Sequence, residues 1–404
     1  MNIEFSVRRS FDATINPKHA AIWNLGFRPF YLAGAVWATI AIPLWMLQWT
    51  GVVHLHSHLN GVAWHMHEML FGYAFAIVVG FLLTAVKTWT GQPTPSGQRL
   101  AWIFYAWLAS RILYLTPWSM LGIVFESLFF ALAAYGIAVP IVQSRNRQNF
   151  FFILLLVLAA LINLAFHFIV IHGMSNASAL DVRAIAVIAL DVLAFIVTIV
   201  SGRVMPMFTR NGAPGSQPKN SMTLERAVLA GIFLTAVFTA STPVRFLAAP
   251  VALVTSALLF VRWIKCAPFA TWRNPILWVL HAALIWLPIG YLLRALTLTN
   301  NSVPASLGIH AITVGVIGGM TLAMMTRTAR GHTGRVLRAS KIETMAYVLL
   351  SAGVVMRVLV PLLMPRFYLE SALISALLWT AAFALYVWQF APWLLSSRVD
   401  GKAG

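Results

Sequence analysis

Twelve long hydrophobic stretches decide what this chain can become. They fall at 29–49, 63–86, 99–116, 118–141, 149–171, 183–205, 224–240, 243–264, 276–297, 305–326, 341–364 and 370–395. Each can cross the roughly 30 Å hydrocarbon layer of a bilayer as a helix. A backbone in lipid finds no water for its amides, so such stretches become helices rather than open strands. Turn chemistry separates them at Gly91-Gln92-Pro93, at Asn211-Gly212-Ala213-Pro214-Gly215 and between Gly331 and Gly334. With 60% hydrophobic and 9% charged residues among 404, the chain carries more apolar surface than a soluble core can hide. The expectation is an all-α membrane protein of twelve transmembrane helices.

A net charge of +18 would suggest nucleic acid as a partner in a soluble chain. Here the cations sit in short loops between spans, which is how Lys and Arg set topology, so no nucleic acid is expected and the partner is the lipid bilayer. The N-terminal segment, the even-numbered loops and the C-terminal segment hold 22 of the 28 Lys and Arg. Both termini are therefore expected in the cytoplasm. The expected division is a cytoplasmic tail over 1–28, one transmembrane domain over 29–395 and a second tail over 396–404. The single cysteine, Cys266, excludes an intramolecular disulfide and thioether-linked haem, so any haem is held non-covalently.

Polar residues inside the spans repeat. Arg28 and Arg273, His67 and His310, Lys87 and Arg327, Arg111 and Arg357, and Glu126 and Glu370 are each separated by 240 to 246 residues. His67-x4-Gly72 matches His310-x4-Gly315, and Glu126-Ser127 matches Glu370-Ser371. The pattern predicts three four-helix units, about 29–141, 149–264 and 276–395, around a pseudo-threefold axis. The middle unit offers Asp191 where the others have histidine.

Intramembrane histidines are costly and are common ligands, so they carry the functional reading. His65 and His67 project about 200° apart on a helix, which assigns them different partners. His65 shares a face with Glu68. His67 and His310, on related spans, have the disposition to clamp a porphyrin from both axial sides, or else each ties helices together through a carbonyl. His167, His281 and His65 are candidate ligands for a metal, as is the loop triplet His54, His56 and His58, which suits copper or zinc. Arg111, Arg294 and Arg357 either meet haem propionates or reach to lipid headgroups. The methionines at 205, 207, 320, 324 and 325 read as packing.

Gly26-Phe27-Arg28-Pro29-Phe30, Trp64-His65-Met66-His67-Glu68-Met69-Leu70-Phe71-Gly72, the run from Gly202 to Gly212, and His310 through Arg327 to Arg335 resemble the NnrS family. The resemblance runs from about residue 20 to 395. It implies a polytopic inner-membrane protein containing haem b and copper, linked to the nitric oxide response and to protection from nitrosative stress. It implies no settled reaction, so an oxidoreductase acting on nitric oxide, with an electron donor such as quinol, stays open. A transporter or metal-handling protein that passes copper or an anion along the histidines is the alternative. Twelve spans with histidines on the second and tenth are also similar to the catalytic subunits of haem–copper oxidases and nitric oxide reductases. That superfamily's metal site uses histidines from spans six and seven, and this chain has none there.

Overall fold

A computed structural model describes residues 20–59, 61–173, 181–299 and 303–402. Residues 1–19 and 403–404 of the two expected tails lie outside the described residues. Among the described residues there are twelve long helices: α1 (Phe27–Trp49), α2 (Gly61–Thr90), α3 (Gln98–Leu113), α4 (Ser119–Gln143), α5 (Phe151–His172), α6 (Val182–Gly212), α7 (Met222–Ala240), α8 (Ala248–Lys265), α9 (Pro275–Thr299), α10 (Ala305–His332), α11 (Lys341–Leu363) and α12 (Tyr368–Leu395). Each coincides with one predicted stretch. Eleven are long and apolar enough to cross a membrane. The exception is α3, which stops after 16 residues, short of the 99–116 expected, because a turn through Thr116 and Pro117 follows it.

Local chemistry sets the ends. Asp181 accepts the Ala184 N–H at 2.7 Å to open α6. Ser340 and Glu343 exchange hydrogen bonds in a capping box that opens α11. Helices α2 and α5 close on Gly91 and Gly173, both left-handed at φ 67° and 53°. In α9 a break at Ile285 precedes Pro288, which has no N–H to offer the Leu284 carbonyl.

Burial separates inner from outer helices. In the most apolar stretch of each, 83% of residues are buried in α2 and 72% in α9 and α10, against 17% in α7. The core therefore sits around α2, α6, α9 and α10. Arg28 Nη1 donates to the carbonyls of Leu394 at 2.8 Å and Ser396 at 2.7 Å, so α1 begins where α12 ends, at one end of the bundle.

The sequence correspondence between α2 and α10 extends to their backbones. Each widens into a π-helical segment, Glu68–Ala74 in α2 and Ala311–Gly318 in α10, beginning directly after His67 and His310. Such segments concentrate at functional sites. Each contains a glycine under a close neighbour: a Cβ on Gly72 would meet Arg111 Nη1 at 2.5 Å, and one on Gly315 would meet Trp286 at 2.5 Å.

A candidate cofactor cavity and a buried polar centre

Helices α1, α2, α6, α10, α11 and α12 enclose a cavity of about 540 Å³, bordered by His65, His310, Arg357, Tyr73, Trp45 and Trp379 among others. That volume is within the range of about 300–1,000 Å³ typical of cofactor pockets. His310 Nδ1–H donates to the Ser306 carbonyl at 2.7 Å, which fixes the tautomer and leaves the Nε2 lone pair free. The His65 ring stacks on Trp45 at 4.9 Å, and its buried Nδ1 has no hydrogen-bond partner among the described residues. Arg357 donates from Nη2 to the Tyr368 hydroxyl at 3.3 Å, while its buried Nη1 has no partner among the described residues. Two imidazoles and the Arg357 guanidinium, on a wall that is mostly apolar but also carries Arg183 and hydroxyls such as Ser306 and Thr313, fit a flat apolar group that carries a metal and a carboxylate.

A second centre lies on the opposite side of α2. His67 is fully buried, with Nδ1 2.9 Å from Glu68 Oε1 and Nε2 3.0 Å from Glu126 Oε2. Arg111 donates to Glu68 Oε1 at 2.7 Å and also to Glu126 Oε1. Tyr114 and Asn163 donate to Glu126 Oε2 at 2.9 and 3.0 Å. Two carboxylates against one guanidinium leave this dry centre one negative charge in excess, which burial tolerates only with a compensating cation. A proton on His67 or a metal ion meets that need. Ligand atoms of His67, Glu126 and His167 lie within 4.8 Å of one another, all three residues buried.

A hydrogen-bond relay leads outward from it. The Tyr114 oxygen lies 2.9 Å from His167 Nε2, His167 Nδ1 lies 3.0 Å from His58 Nε2, and His58 Nδ1 lies 2.9 Å from Ser119 Oγ. Burial, with His67 nearby, pushes the loop residue His58 down to about 4, so its ring is neutral at neutral pH. With Ser119 donating inward, every group in the relay has one donor and one acceptor. Run the other way, with His167 Nδ1–H donating to His58, the relay frees His167 Nε2 for a metal.

Several expectations need correction. His67 and His310 do not border one cavity; His65 takes the cavity position, and His67, about 200° round α2, faces Glu126 of α4 and Asn163 of α5. Glu68 partners His67 rather than His65. Arg111 is held by Glu68 and Glu126, and Arg294 by Asp191, with Nη2 3.1 Å from Oδ2, so neither borders the cavity; only Arg357 does. The loop triplet does not converge, since His54 and His56 are exposed while Ser119 anchors His58 inward through its backbone N–H at 3.1 Å as well as its ring. His281 bonds Thr209 Oγ1 at 3.0 Å and joins no group of three candidate ligands among the described residues.

The sequence reading passed over Glu126, Tyr114 and Asn163 as members of the centre. The four-residue spacing of Asn163 and His167 puts both on one face of α5, and that was the available signal.

No curated protein matches the chain. The family model described as NnrS protein matches residues 21–398, which takes in both π-helical segments, the cavity and the polar centre. This chain belongs to the NnrS family.

Proposed function

We propose that this is a haem b protein of the bacterial inner membrane that binds or reduces nitric oxide, protecting against nitrosative stress. NnrS membership supports a membrane protein of the nitric oxide response. The observation that carries the haem reading is the pairing of His65 and His310 on one cavity with Arg357, whose Nη1 lacks a partner among the described residues. His65 and His310 would hold the iron, and Arg357 would meet a propionate. A haem with both axial positions filled supplies one-electron transfer rather than gas binding.

Gas binding then falls to the polar centre, where His67, Glu126 and His167 would hold a copper ion. Three protein donors leave a coordination position open for a small molecule. Glu68 orients His67 from behind, and His58 does the same for His167. The two sites lie on opposite faces of α2, joined by the single residue Met66. An electron donor such as quinol would reach the cavity side.

A second reading, a metal-handling protein, draws on one feature: exposed His54 and His56 precede inward-facing His58, which touches His167. The absorption spectrum and metal content of detergent-purified protein separate the two. A Soret band with sharp reduced α and β bands supports the haem reading, and a folded, colourless preparation that still binds copper removes it.

A further inference from the structure

The wall of the cavity is lopsided in charge. Among the described residues that border it, Arg183 and Arg357 are the permanent cations, and no Asp, Glu or Lys joins them. Neither guanidinium forms an ion pair with another described residue. Asp181, two positions before Arg183, spends Oδ1 on the Ala184 N–H. Two cations on the wall of a mostly apolar space call for anions inside it.

Both stand at one end. Arg183 is the second residue of α6, Arg357 reaches Tyr368 at the start of α12, and Ser306 lies in the first turn of α10. The cation-bearing end of the bundle is the other one, where Arg28 meets Leu394 at the close of α12 and Arg335 lies over the Trp393 ring at 4.3 Å. From Tyr368 the wall runs along α12 to Trp379, roughly 16 Å deeper, where Leu70 and Ile317 also border the space. One end of the cavity is thus cationic and the other apolar.

Arg357 is held in direction. Its Nη2 donates to the Tyr368 hydroxyl at 3.3 Å, and its guanidinium lies 5.2 Å from the centre of the same ring. That hydroxyl lies 3.2 Å from Ser306 Oγ, and the Ser306 carbonyl accepts from His310 Nδ1 at 2.7 Å. A short run of bonds therefore ties the aim of Arg357 to the setting of the His310 ring. Nη1 is the donor left over, buried and without a partner among the described residues.

We propose that the cavity recognises a flat dicarboxylate by its carboxylate edge: Arg357, positioned by Tyr368, takes one carboxylate, Arg183 takes the other, and the apolar edge points toward Trp379. The inference rests on the haem reading and gives it a direction, with both propionates at the end of the bundle away from Arg28. Haem b carries its two propionates on one edge, which matches two guanidiniums at one end of the space. Arg183 is exposed and also borders a second hollow of about 360 Å³ between α2, α5 and α6, so its carboxylate is the one nearer the surface. A lipid phosphate offers Arg183 the same chemistry, and the test separates the two.

The probes are metal-free protoporphyrin IX and its dimethyl ester, which differ only in the two carboxylates. Fluorescence titration reads their affinities for the full-length protein, produced in a host unable to make haem and purified in detergent. Without a metal, neither probe draws on His65 or His310 as iron ligands. The diacid should bind the wild type about tenfold more tightly than the ester. Arg183→Gln and Arg357→Gln should each take about threefold off that ratio, and together they should bring it to about one. Tyr368→Phe should lower the ratio as Arg357→Gln does, yet change nothing further in the Arg357→Gln background, which a residue that only packs would not do.

Equal affinity of the wild type for diacid and ester overturns recognition by the edge and leaves the haem reading standing. A ratio untouched by Arg183→Gln overturns the two-cation assignment and gives Arg183 to lipid headgroups. A folded wild type that binds neither porphyrin overturns the haem reading, and this inference with it. On protein purified with its haem, release to apomyoglobin checks the same assignment without an empty cavity: Arg183→Gln should release haem about threefold faster, and release at the wild-type rate overturns it.

Discussion

His65 and His67 stand two residues apart on α2 and serve different interiors: His65 borders the apolar cavity with His310, while His67 lies between Glu68 and Glu126 on the far side of the helix. Little more than half a turn of helix thus separates a cofactor-sized space from a charged centre. Loss of haem should follow this division. His65→Ala and His310→Ala are expected to abolish or sharply lower haem content by pyridine haemochromogen assay, whereas His67→Ala keeps haem and loses bound copper. Exposed His172→Ala serves as the control. Equal haem loss in His67→Ala and His65→Ala would show that the two residues do not divide the roles.

Among the described residues, Arg111 is the only guanidinium paired with Glu68 and Glu126. Arg111→Met leaves two buried carboxylates without their partner and should destabilise the protein by about 3–5 kcal/mol. Adding Glu126→Gln removes one of the stranded charges, so the double variant should recover part of the loss. Thermal unfolding in detergent measures the cycle, and strictly additive losses would mean that the pair does not interact.

Arg294 and Arg357 separate structure from cofactor. Arg294→Ala strands Asp191 and lowers the unfolding temperature whether or not haem is present. Arg357 makes no ion pair with a described residue, so Arg357→Ala should spare the fold while haem dissociates faster, as transfer to apomyoglobin would report. A haem-loss rate equal to wild type removes Arg357 from the propionate role.

The glycines under the two π-helical segments offer a packing test. A methyl on Gly72 would sit 2.5 Å from Arg111 Nη1 and 2.8 Å from Glu68 Oε2, while one on Gly331 has its nearest neighbour at 3.9 Å. Gly72→Ala should cost about 1–3 kcal/mol through overpacking. Gly331→Ala should cost nothing measurable. Matching melting curves for the two variants would show that the centre can yield.

Orientation is open to a direct check. Green fluorescent protein fused after Lys402 should fluoresce, and alkaline phosphatase fused in the loop between α9 and α10 should be active, if Lys and Arg set the topology. The reverse pattern inverts the protein and moves the cation-bearing end outside.

How much of this could be read in advance depended on which property did the specifying. Hydropathy located all twelve helices, because a lipid environment leaves the backbone no alternative. The correspondence of His67 with His310 and of Gly72 with Gly315 located both π-helical segments without revealing them. The parting of His67 from His310 has a simple origin: His65, about 200° round the same helix, faces the cavity instead, and spacing along the chain does not say which of the two histidines meets which neighbour. Arg111 was credited to a cofactor because its partner Glu126 lies on the next helix, 15 positions away, where periodicity says nothing about contact.

The brevity of α3 reaches beyond the protein. Sixteen residues rise roughly 24 Å, several ångströms less than the hydrocarbon layer. Lipids alongside must shorten or tilt to meet it, drawing headgroups inward on the flank that carries Arg111 and Tyr114. A bilayer of longer acyl chains would press hardest on that flank.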